Sequence, residues 1–216
     1  MGHGFFVALE GIDGSGTTTQ ALLLADRLER LGVRVVRTRE PGDTSLGERL
    51  RELLLDPRAA IDARTEVLLY AAARAQHVAE VIAPALSQGA AVVSDRYLAS
   101  SLAYQGYGRG LGPELVWQAN KLAVSTCLPD LTLYLDLAPE EALRRRRDRG
   151  DAPDRIELCG DAFQARVRQG YLSLAASQGD AAQVVSAARD RDSVAADLWA
   201  SVTACWSGAP QTTGDE

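Results

Sequence analysis

The amino-acid sequence predicts an α/β fold in which a five-stranded parallel sheet lies between two layers of helices. Five apolar runs of strand length recur along the 216 residues. Most of them lack strict polar and apolar alternation, as expected for strands that are buried on both faces. Helix-like segments separate the runs, and this alternation is typical of parallel sheets covered by helices. A glycine-rich turn between the first run and the next helix is a third indication of this class.

The predicted strands follow from local composition. The first run contains three aliphatic residues behind two phenylalanines, and the later runs are rich in valine and leucine. Right-handed crossovers between parallel strands place the loops that follow them at one edge of the sheet, where ligands bind. The five predicted strands are residues 5–9, 33–38, 91–94, 131–137 and 183–187.

The predicted helices follow from apolar residues at helical spacing. Leu24, Leu28 and Leu31 share one face with Ala21, and a second leucine stripe occupies positions 46, 50, 53 and 54. Pro139 suits the first turn of a later helix. The predicted helical segments are residues 20–31, 46–54, 63–86, 111–124, 139–147, 161–176 and 193–206.

Bulk composition predicts one domain over residues 1–207 and a flexible tail over residues 208–216. Apolar residues make up 46% and charged residues 24%, which is ordinary for a globular protein. No apolar run reaches the ~18 residues of a membrane span, and no signal peptide is recognised. Three scattered cysteines predict a reduced, cytoplasmic protein. The net charge of -6 argues against general nucleic-acid binding, and two distant histidines do not indicate a metal site.

The turn after the first strand resembles a phosphate-binding loop that lacks its lysine. Gly11 and Gly16 fit the pattern G-x-x-x-x-G-K-[ST], and Thr18 fits the magnesium-ligand position. Thr17 stands where lysine is usual, and the chain's single lysine, Lys121, is far away in sequence. Backbone N–H groups and the helix N-terminus would then meet the phosphate. The alternative is an ordinary glycine turn. The candidate ATP-binding residues are Gly11, Gly14, Ser15, Gly16, Thr17, Thr18 and Thr19.

Charged residues at the strand ends are further candidates for the site. Asp13 lies within the loop, and its alternative role is to cap local N–H groups. Arg39 follows the second strand, just before a Pro-Gly turn, and could equally be a solvated arginine. Asp95 and Arg96 end the third strand, where the carboxylate can organise magnesium and the guanidinium can bind a phosphate bidentately. A structural Asp–Arg pair is the alternative there.

An arginine-rich segment around residues 144–160 predicts a lid that closes over anions. Five of the six residues from 144 to 149 are arginine, and glycine and proline follow. Because lysine is missing from the loop, arginines or a metal ion would have to meet the phosphate charge. The alternative is a solvated basic helix end, which the helix dipole favours. A GTPase is excluded, since the segment 120–123 lacks the aspartate that would recognise guanine.

Several separate motifs, in order over residues 5 to about 205, resemble those of thymidylate kinases. They lie in segments 10–20, 39–42, 68–77, 95–106, 129–136 and 147–157. The resemblance implies a three-layer P-loop kinase fold, a homodimer, Mg²⁺, and transfer of the γ-phosphate of ATP to dTMP. The chain resembles the branch of the family in which lid arginines approach ATP.

The same resemblance implies roles for individual residues. Tyr70 would stack on thymine where the family usually has phenylalanine, and Tyr104 would crowd the sugar 2′ position. Asp13, Asp95, Arg96, Arg149 and Arg155 are the implied catalytic residues, and Thr18 and Asp95 the metal ligands. The implied acceptor site consists of Arg39, Tyr70, Arg74, Arg96, Ser101, Tyr104 and Gln105.

The chain departs from the family pattern at Thr17 and at Asp43, which replaces a usual glycine. Phosphoryl transfer depends mainly on positioning and charge neutralisation, so the sequence favours an active dTMP kinase. Two alternatives stay open: a non-catalytic nucleotide-binding protein, and a kinase that acts on another nucleotide.

Overall fold

A sheet of five parallel strands forms the centre of the computed structural model, which describes residues 4–150, 152–206 and 208. The strands are β1 Phe6–Gly11, β2 Val35–Arg39, β3 Ala91–Asp95, β4 Leu131–Asp136 and β5 Ala182–Ser186. They lie in the order β2-β3-β1-β4-β5, and every adjacent pair is parallel. All six residues of the central strand β1 are buried, which explains its nearly unbroken apolar sequence.

Helices cover both faces of this sheet, as the sequence predicts. Helix α1 packs on β1, β2, β3 and α9, whereas α8 packs on β4 and β5. The helices are α1 Thr17–Arg30, α2 Ser45–Leu55, α3 Ala63–His77, α4 Ala83–Ser87, α5 Leu98–Ser101, α6 Pro113–Val124, α7 Pro139–Arg149, α8 Asp161–Gln178 and α9 Arg191–Cys205. A π-helical turn, Val78–Ile82, joins α3 to α4, so the long segment predicted over 63–86 is nearly continuous.

The structure adds a helical region that the sequence analysis did not predict. Helix α5 continues into a π-helical segment, Leu102–Gly108, which packs against α8 and α6. Its mixture of hydroxyl, aromatic and amide side chains gives no amphipathic period. Most of its residues are buried, and two of them, Tyr104 and Gln105, line a cavity described below.

The leucine stripe on α2 does not face the core as a whole. Leu54 is fully buried, but Leu46 and Leu53 are 44% and 47% exposed. Helical spacing finds an apolar face without saying what covers it. At the other end of the chain, Trp206 stacks on Phe5 with ring centroids 4.9 Å apart. The predicted tail lies outside the described residues except for Gly208. No helix among the described residues is long and apolar enough to cross a membrane.

The parallel register places the predicted site residues at one edge of the sheet. Arg39 is the partner of Asp95 across β2 and β3, and Leu9 is the partner of Asp95 across β1 and β3. The glycine loop follows β1 directly. Because all three strands run the same way, their carboxyl ends present Arg39, Asp95 and the loop side by side.

Candidate nucleotide and phosphate site

The loop after β1 has the backbone of an anion-binding turn. Gly14 and Gly16 have φ values of 94° and 99°, a left-handed conformation that favours glycine. The amide of Ser15 donates to the carbonyl of Ile12 at 3.0 Å, which closes the turn. The first turn of α1, all of which the structure describes, contains no acidic residue. Its N–H groups and positive dipole end are therefore available to an anion.

The oxygens around Thr18 fit a magnesium ion that also binds phosphate. The Thr18 hydroxyl donates to Oδ2 of Asp95 at 2.5 Å. The other carboxylate oxygen of Asp95 is buried and accepts no hydrogen bond from any described residue. Among the described residues, no group of three or more His, Cys, Asp or Glu forms a complete metal cage. This arrangement suits Mg²⁺, which usually binds through one or two protein groups together with phosphate oxygens and water.

A cavity of about 680 Å³ lies in front of the loop and is rich in arginine. Loop residues 13–20 form one wall, and Thr17, in the lysine position, is 5% exposed. Arginines come from the sheet edge, from α2, from α7, from the segment before α9 and from the start of α9. They are Arg39, Arg51, Arg96, Arg145, Arg149, Arg189 and Arg191. We call this the phosphate cavity, because fixed cations and open helix N–H groups suit a polyanion.

Arg96 is held in place by contacts from three sides. Its NH2 donates to Oδ1 of Asp13 at 2.6 Å, and its NH1 donates to the Gly11 carbonyl at 2.6 Å. NH1 also reaches the Tyr171 hydroxyl at 3.1 Å. Arg96 itself has a φ of 72°, which is uncommon for a residue with a side chain. Strain of this kind persists where the surroundings fix it, and here it aims the guanidinium into the site.

Arg51 is a site residue that the sequence analysis missed. It lies on α2 and donates from NH1 to the Pro41 carbonyl at 2.9 Å. Burial and the nearby charges of Arg39 and Arg96 lower its pKa below the usual value. Three arginines that repel one another at the same place are costly unless an anion lies between them. Leucine spacing identified α2, but nothing in the sequence showed which of its charged residues faces inward.

Arg39 and Arg149 line the phosphate cavity but also contact acidic side chains. Arg39 donates from NH2 to Glu48 at 2.8 Å. Hydrogen bonding to Glu48 raises the Arg39 pKa above its usual value, so this guanidinium stays charged. NH2 of Arg149 lies 3.5 Å from Oε1 of Glu157.

A second cavity adjoins the first and is lined by aromatic and amide side chains. Its walls contain the predicted residues Tyr70, Arg74, Ser101, Tyr104 and Gln105. We call it the nucleoside cavity, since aromatic surfaces and a few fixed polar groups are the usual lining of such a site. The two cavities share Asp13, Glu40, Arg51, Arg96 and Asp154.

Arg74 is 2% exposed, and its five N–H donors all have protein acceptors. Nε and NH2 contact Oε2 of Glu40 at 2.8 and 2.7 Å. NH1 donates to Ser101 at 3.0 Å and to Asn120, and NH2 donates to the Tyr97 carbonyl at 3.0 Å. Arg74 is therefore a buried organiser of the cavity wall, with no donor left over for a base in this conformation.

Gln105 and Tyr104 both lie on the π-helical segment, but only the Gln105 side chain is hydrogen-bonded to a described residue. The amide nitrogen of Gln105 donates to the buried carboxylate of Glu66 at 2.8 Å. The Tyr104 hydroxyl lies near Asp13 and Arg96 but makes no hydrogen bond of good geometry with any described residue. Oδ2 of Asp13 is also buried without such a partner. Two unpartnered polar atoms thus face the junction of the cavities, where a ligand can use them.

Glu10 is a buried carboxyl beneath Arg96 that the sequence analysis did not single out. Its oxygens accept from the Tyr97 amide at 2.9 Å, the Ser100 hydroxyl at 2.6 Å and the Tyr171 hydroxyl at 3.1 Å. Burial raises the Glu10 pKa to about 7, against the effect of these hydrogen bonds and of Arg96. Tyr171 is far away in sequence, so only the fold shows that it bridges Glu10 and Arg96.

The arginine-rich segment divides into residues inside and outside the phosphate cavity. Arg145 and Arg149 line it, whereas Arg144 is bonded to Glu141 and Asp148 on the solvent side. The structure does not bring Arg155 to the phosphate cavity. Its NH1 lies 2.5 Å from the buried Glu66, and its Nε donates to the Leu54 carbonyl at 2.8 Å. The Glu66 carboxylate on α3 holds this guanidinium away from the loop. Asp151, within the predicted lid, lies outside the described residues.

Comparison with known proteins agrees with this geometry. The thymidylate kinase family model matches residues 9–198. A thymidylate kinase of Syntrophotalea carbinolica is 50% identical over 201 residues, covering 90% of this chain and 93% of the relative. A thymidylate kinase of Deinococcus radiodurans is 47% identical over 203 residues, with coverage of 94% and 98%.

A solved structure gives the same result for the fold. The crystal structure of thymidylate kinase from Ehrlichia chaffeensis has a TM-score of 0.77 and 34% sequence identity, and covers 94% of this chain and 99% of that chain. The chain therefore belongs to the thymidylate kinase family.

Proposed function

We propose that this chain transfers the γ-phosphoryl group of ATP to dTMP, which yields dTDP and ADP. The observation that carries the proposal is the junction of the two cavities at Asp13, Arg51 and Arg96. A nucleoside monophosphate in the nucleoside cavity would point its phosphate at this junction. ATP in front of the loop would point its terminal phosphate at the same place. Phosphoryl transfer needs this alignment and charge neutralisation more than any covalent group on the protein.

The acceptor phosphate would lie between Arg51 and Arg96 at the junction, with Arg39 beside it in the phosphate cavity. Arg96 is fixed by Asp13, Gly11 and Tyr171, so little side-chain entropy is lost when it binds an anion. Arg51 and Arg39 would supply two further positive charges, and Tyr104 would lie against the deoxyribose. Tyr70 would give the base an aromatic face, and the free amide oxygen of Gln105 and the hydroxyl of Ser101 would face its polar edge.

The donor phosphates would bind the N–H groups of residues 14–19 and the positive end of α1. Thr18 and Asp95 would hold Mg²⁺, which neutralises charge on the phosphate oxygens when it is bound. Asp13 would keep Arg96 oriented towards the transferring group. Ser15, whose hydroxyl is buried without a partner among the described residues, would offer a further donor.

Thr17 leaves the phosphate cavity short of one cation, and we propose that α7 supplies it. Arg145 and Arg149 both line this cavity. Arg149 is also one of the two arginines that the lid hypothesis selects. Arg145 already donates to Glu141 and to the Ala187 carbonyl, which fixes it to the β5 edge. Arg149 is therefore our choice, since Gly150 beside it has a φ of 76° and ends α7. No observation favours the non-catalytic alternative, because the acceptor side is complete and the phosphate cavity holds several arginines.

A steady-state assay of ADP release tests the proposal. Wild-type protein with ATP, Mg²⁺ and dTMP should turn over well above a denatured control, and dUMP and UMP should be poorer acceptors. Turnover that prefers UMP would assign the chain to another nucleotide, and dTMP binding without turnover would support the non-catalytic alternative.

We further propose a homodimer in the cytoplasm. Exposed leucines on adjacent helices support the dimer: Leu68 on α3 is 61% exposed, and Leu115 and Leu122 on α6 are 47% and 91% exposed. Helix α3 packs against α6, so the two helices that carry these leucines are neighbours. An exposed apolar patch of this kind usually marks an interface. Three cysteines without disulfides fit a reducing compartment.

A further inference from the structure

A continuous chain of hydrogen-bonded polar side chains, most of them buried, runs behind the turn that follows β2. Nδ1 of His77 lies 2.9 Å from Oε1 of Glu40, and its Nε2 lies 2.6 Å from the Thr38 hydroxyl. The same hydroxyl lies 2.8 Å from Oδ2 of Asp43. Thr38, Glu40 and His77 are each no more than 5% exposed. Bonds of this kind are strong in a low-dielectric interior, and they fix the relative positions of the groups they join.

The two ends of this chain of bonds connect it to residues that line the two cavities. Oδ2 of Asp43 also accepts from the amide of Arg39 at 2.9 Å, and Arg39 lines the phosphate cavity. At the other end, Oε2 of Glu40 accepts from Nε of Arg74 at 2.8 Å, and Arg74 lines the nucleoside cavity. Among the described contacts of this chain of bonds, only the His77 side chain touches both Thr38 and Glu40.

We propose that His77 is a positioning residue that fixes the spacing between the phosphate side and the base side of the acceptor site. The relay consists of Asp43, Thr38, His77, Glu40 and Arg74. His77 acts through its neighbours, and it belongs to α3 while Thr38 and Glu40 belong to the end of β2 and its turn. It therefore ties the helix that carries Arg74 to the strand that presents Arg39. This inference rests on the proposed function, because it assigns both ends of the relay to one nucleotide acceptor.

Hydrogen counting shows why an imidazole is suited to this position. Glu40 can only accept when ionised, so Nδ1 of His77 carries a hydrogen and donates to it. The Thr38 hydroxyl has one hydrogen, which it can give to Nε2 of His77 or to Asp43 but not to both. If it donates to Nε2, no hydrogen is left between the hydroxyl and the Asp43 carboxylate. If it donates to Asp43, Nε2 donates to the hydroxyl, and the ring then carries hydrogens on both nitrogens. An apolar ring can neither donate nor accept at these two positions, so it breaks both contacts.

The test cuts the relay at two points and measures each substrate separately. Thr38→Val removes one hydroxyl with little change of shape, and His77→Phe keeps a ring without nitrogens. Thr132→Val is the matched control, because Thr132 is 6% exposed in β4 and outside both cavities. Calorimetric Kd for dTMP, KM for dTMP, KM for ATP and the thermal midpoint are measured for each variant.

If the relay fixes the acceptor site, each cut should raise the Kd and KM for dTMP about tenfold, as expected when a buried hydrogen-bond partner is lost. KM for ATP should stay within about twofold of wild type, because the donor side is untouched. The double variant should be little worse than His77→Phe alone, since both changes break the same connection. Thr132→Val should match wild type in all dTMP measurements.

Equal increases in the two KM values, or a lower midpoint with unchanged dTMP binding, would mean that His77 only stabilises the fold. Additive effects of the two cuts would also overturn the relay. If His77→Phe does not fold, Thr38→Val decides alone. Wild-type protein that binds no dTMP would end both proposals, whereas normal dTMP turnover with a silent Thr38→Val would end the relay alone.

Discussion

At the scale of single residues, the site depends on charged groups that are partnered from within the protein. Arg96 contacts Asp13, Gly11 and Tyr171, and Glu10 lies beneath the same residues with three hydrogen bonds of its own. The Arg96 guanidinium is thus oriented before any ligand arrives. Such preorganisation lowers the free energy that substrate binding must spend on ordering side chains.

Glu10 predicts a pH dependence of stability. Its folded pKa of about 7 lies above the ordinary 4.5, so between these values the folded state holds a proton that the unfolded state loses. The free energy of unfolding should therefore fall as pH rises through this window, and Glu10→Gln should remove that contribution. The full effect is at most about 3 kcal/mol.

Urea denaturation of wild type and Glu10→Gln at about pH 5 and about pH 8 measures the difference. The wild type should lose stability relative to the variant between the two conditions. A stability difference that is independent of pH would show that Glu10 titrates in its ordinary range. Because both proteins share every other ionisable group, their contributions cancel in the comparison.

At the scale of elements, the arginine-rich segment contributes side chains to two separate places, the phosphate cavity and the surroundings of Glu66. Helix α7 brings Arg145 and Arg149 to the phosphate cavity, while Arg155 is tied to Glu66 on α3 and to the carbonyl of Leu54 on α2. Glu66 also accepts from Arg109 and Gln105. One buried carboxylate therefore joins the far end of the segment to the wall of the nucleoside cavity.

Arg149→Ala should lower kcat by at least ~10²-fold, equivalent to ~2.7 kcal/mol of activation free energy. The variant lacks a cation that would stabilise the negative charge developing on the transferred phosphoryl group. Thr17→Lys in that background should restore part of the loss, since both cations would serve the same oxygens. Arg144→Ala is the matched control on the same helix, because Arg144 is 63% exposed and contacts Glu141 and Asp148. It should leave kcat unchanged.

Steady-state kcat for these variants decides whether α7 replaces the loop lysine. Near wild-type turnover of Arg149→Ala would contradict that role, and the segment would then be a solvated helix end. A loss in Arg144→Ala as large as in Arg149→Ala would show that the total positive charge of α7 matters, not the position of one guanidinium.

At the scale of the whole molecule, the apolar face on α3 and α6 predicts self-association. Leu115→Glu together with Leu122→Glu should convert a dimer into a monomer, because charges in an apolar interface are left without partners. Leu22→Glu is the control, since Leu22 is 42% exposed on α1. Light scattering after gel filtration measures the mass. A monomeric wild type, or a double variant that stays dimeric, would contradict this interface.

The sequence predicted the parts of the molecule that local pattern determines. Apolar runs located all five strands to within two residues, and β1, β2 and β3 extend past the predicted ends because the polar residues Glu10, Arg39 and Asp95 continue the ladder. Arg51, His77 and Tyr171 were missed because their partners are remote in sequence; Tyr171 and Glu10 are 161 residues apart. Local periodicity in the sequence cannot indicate a contact between residues that are so far apart along the chain. Arg155 shows the converse, because composition placed it with the lid while Glu66 holds it elsewhere.

Tracing the phosphoryl group itself tests the central claim most directly. Wild-type protein is mixed with Mg²⁺, dTMP and ATP labelled on the γ-phosphate, and the nucleotides are separated. If the two cavities meet as described, the label should pass to dTDP, and Arg96→Ala should abolish most of this transfer while ATP still binds. Label that appears only as inorganic phosphate, or that remains in ATP, would contradict the account.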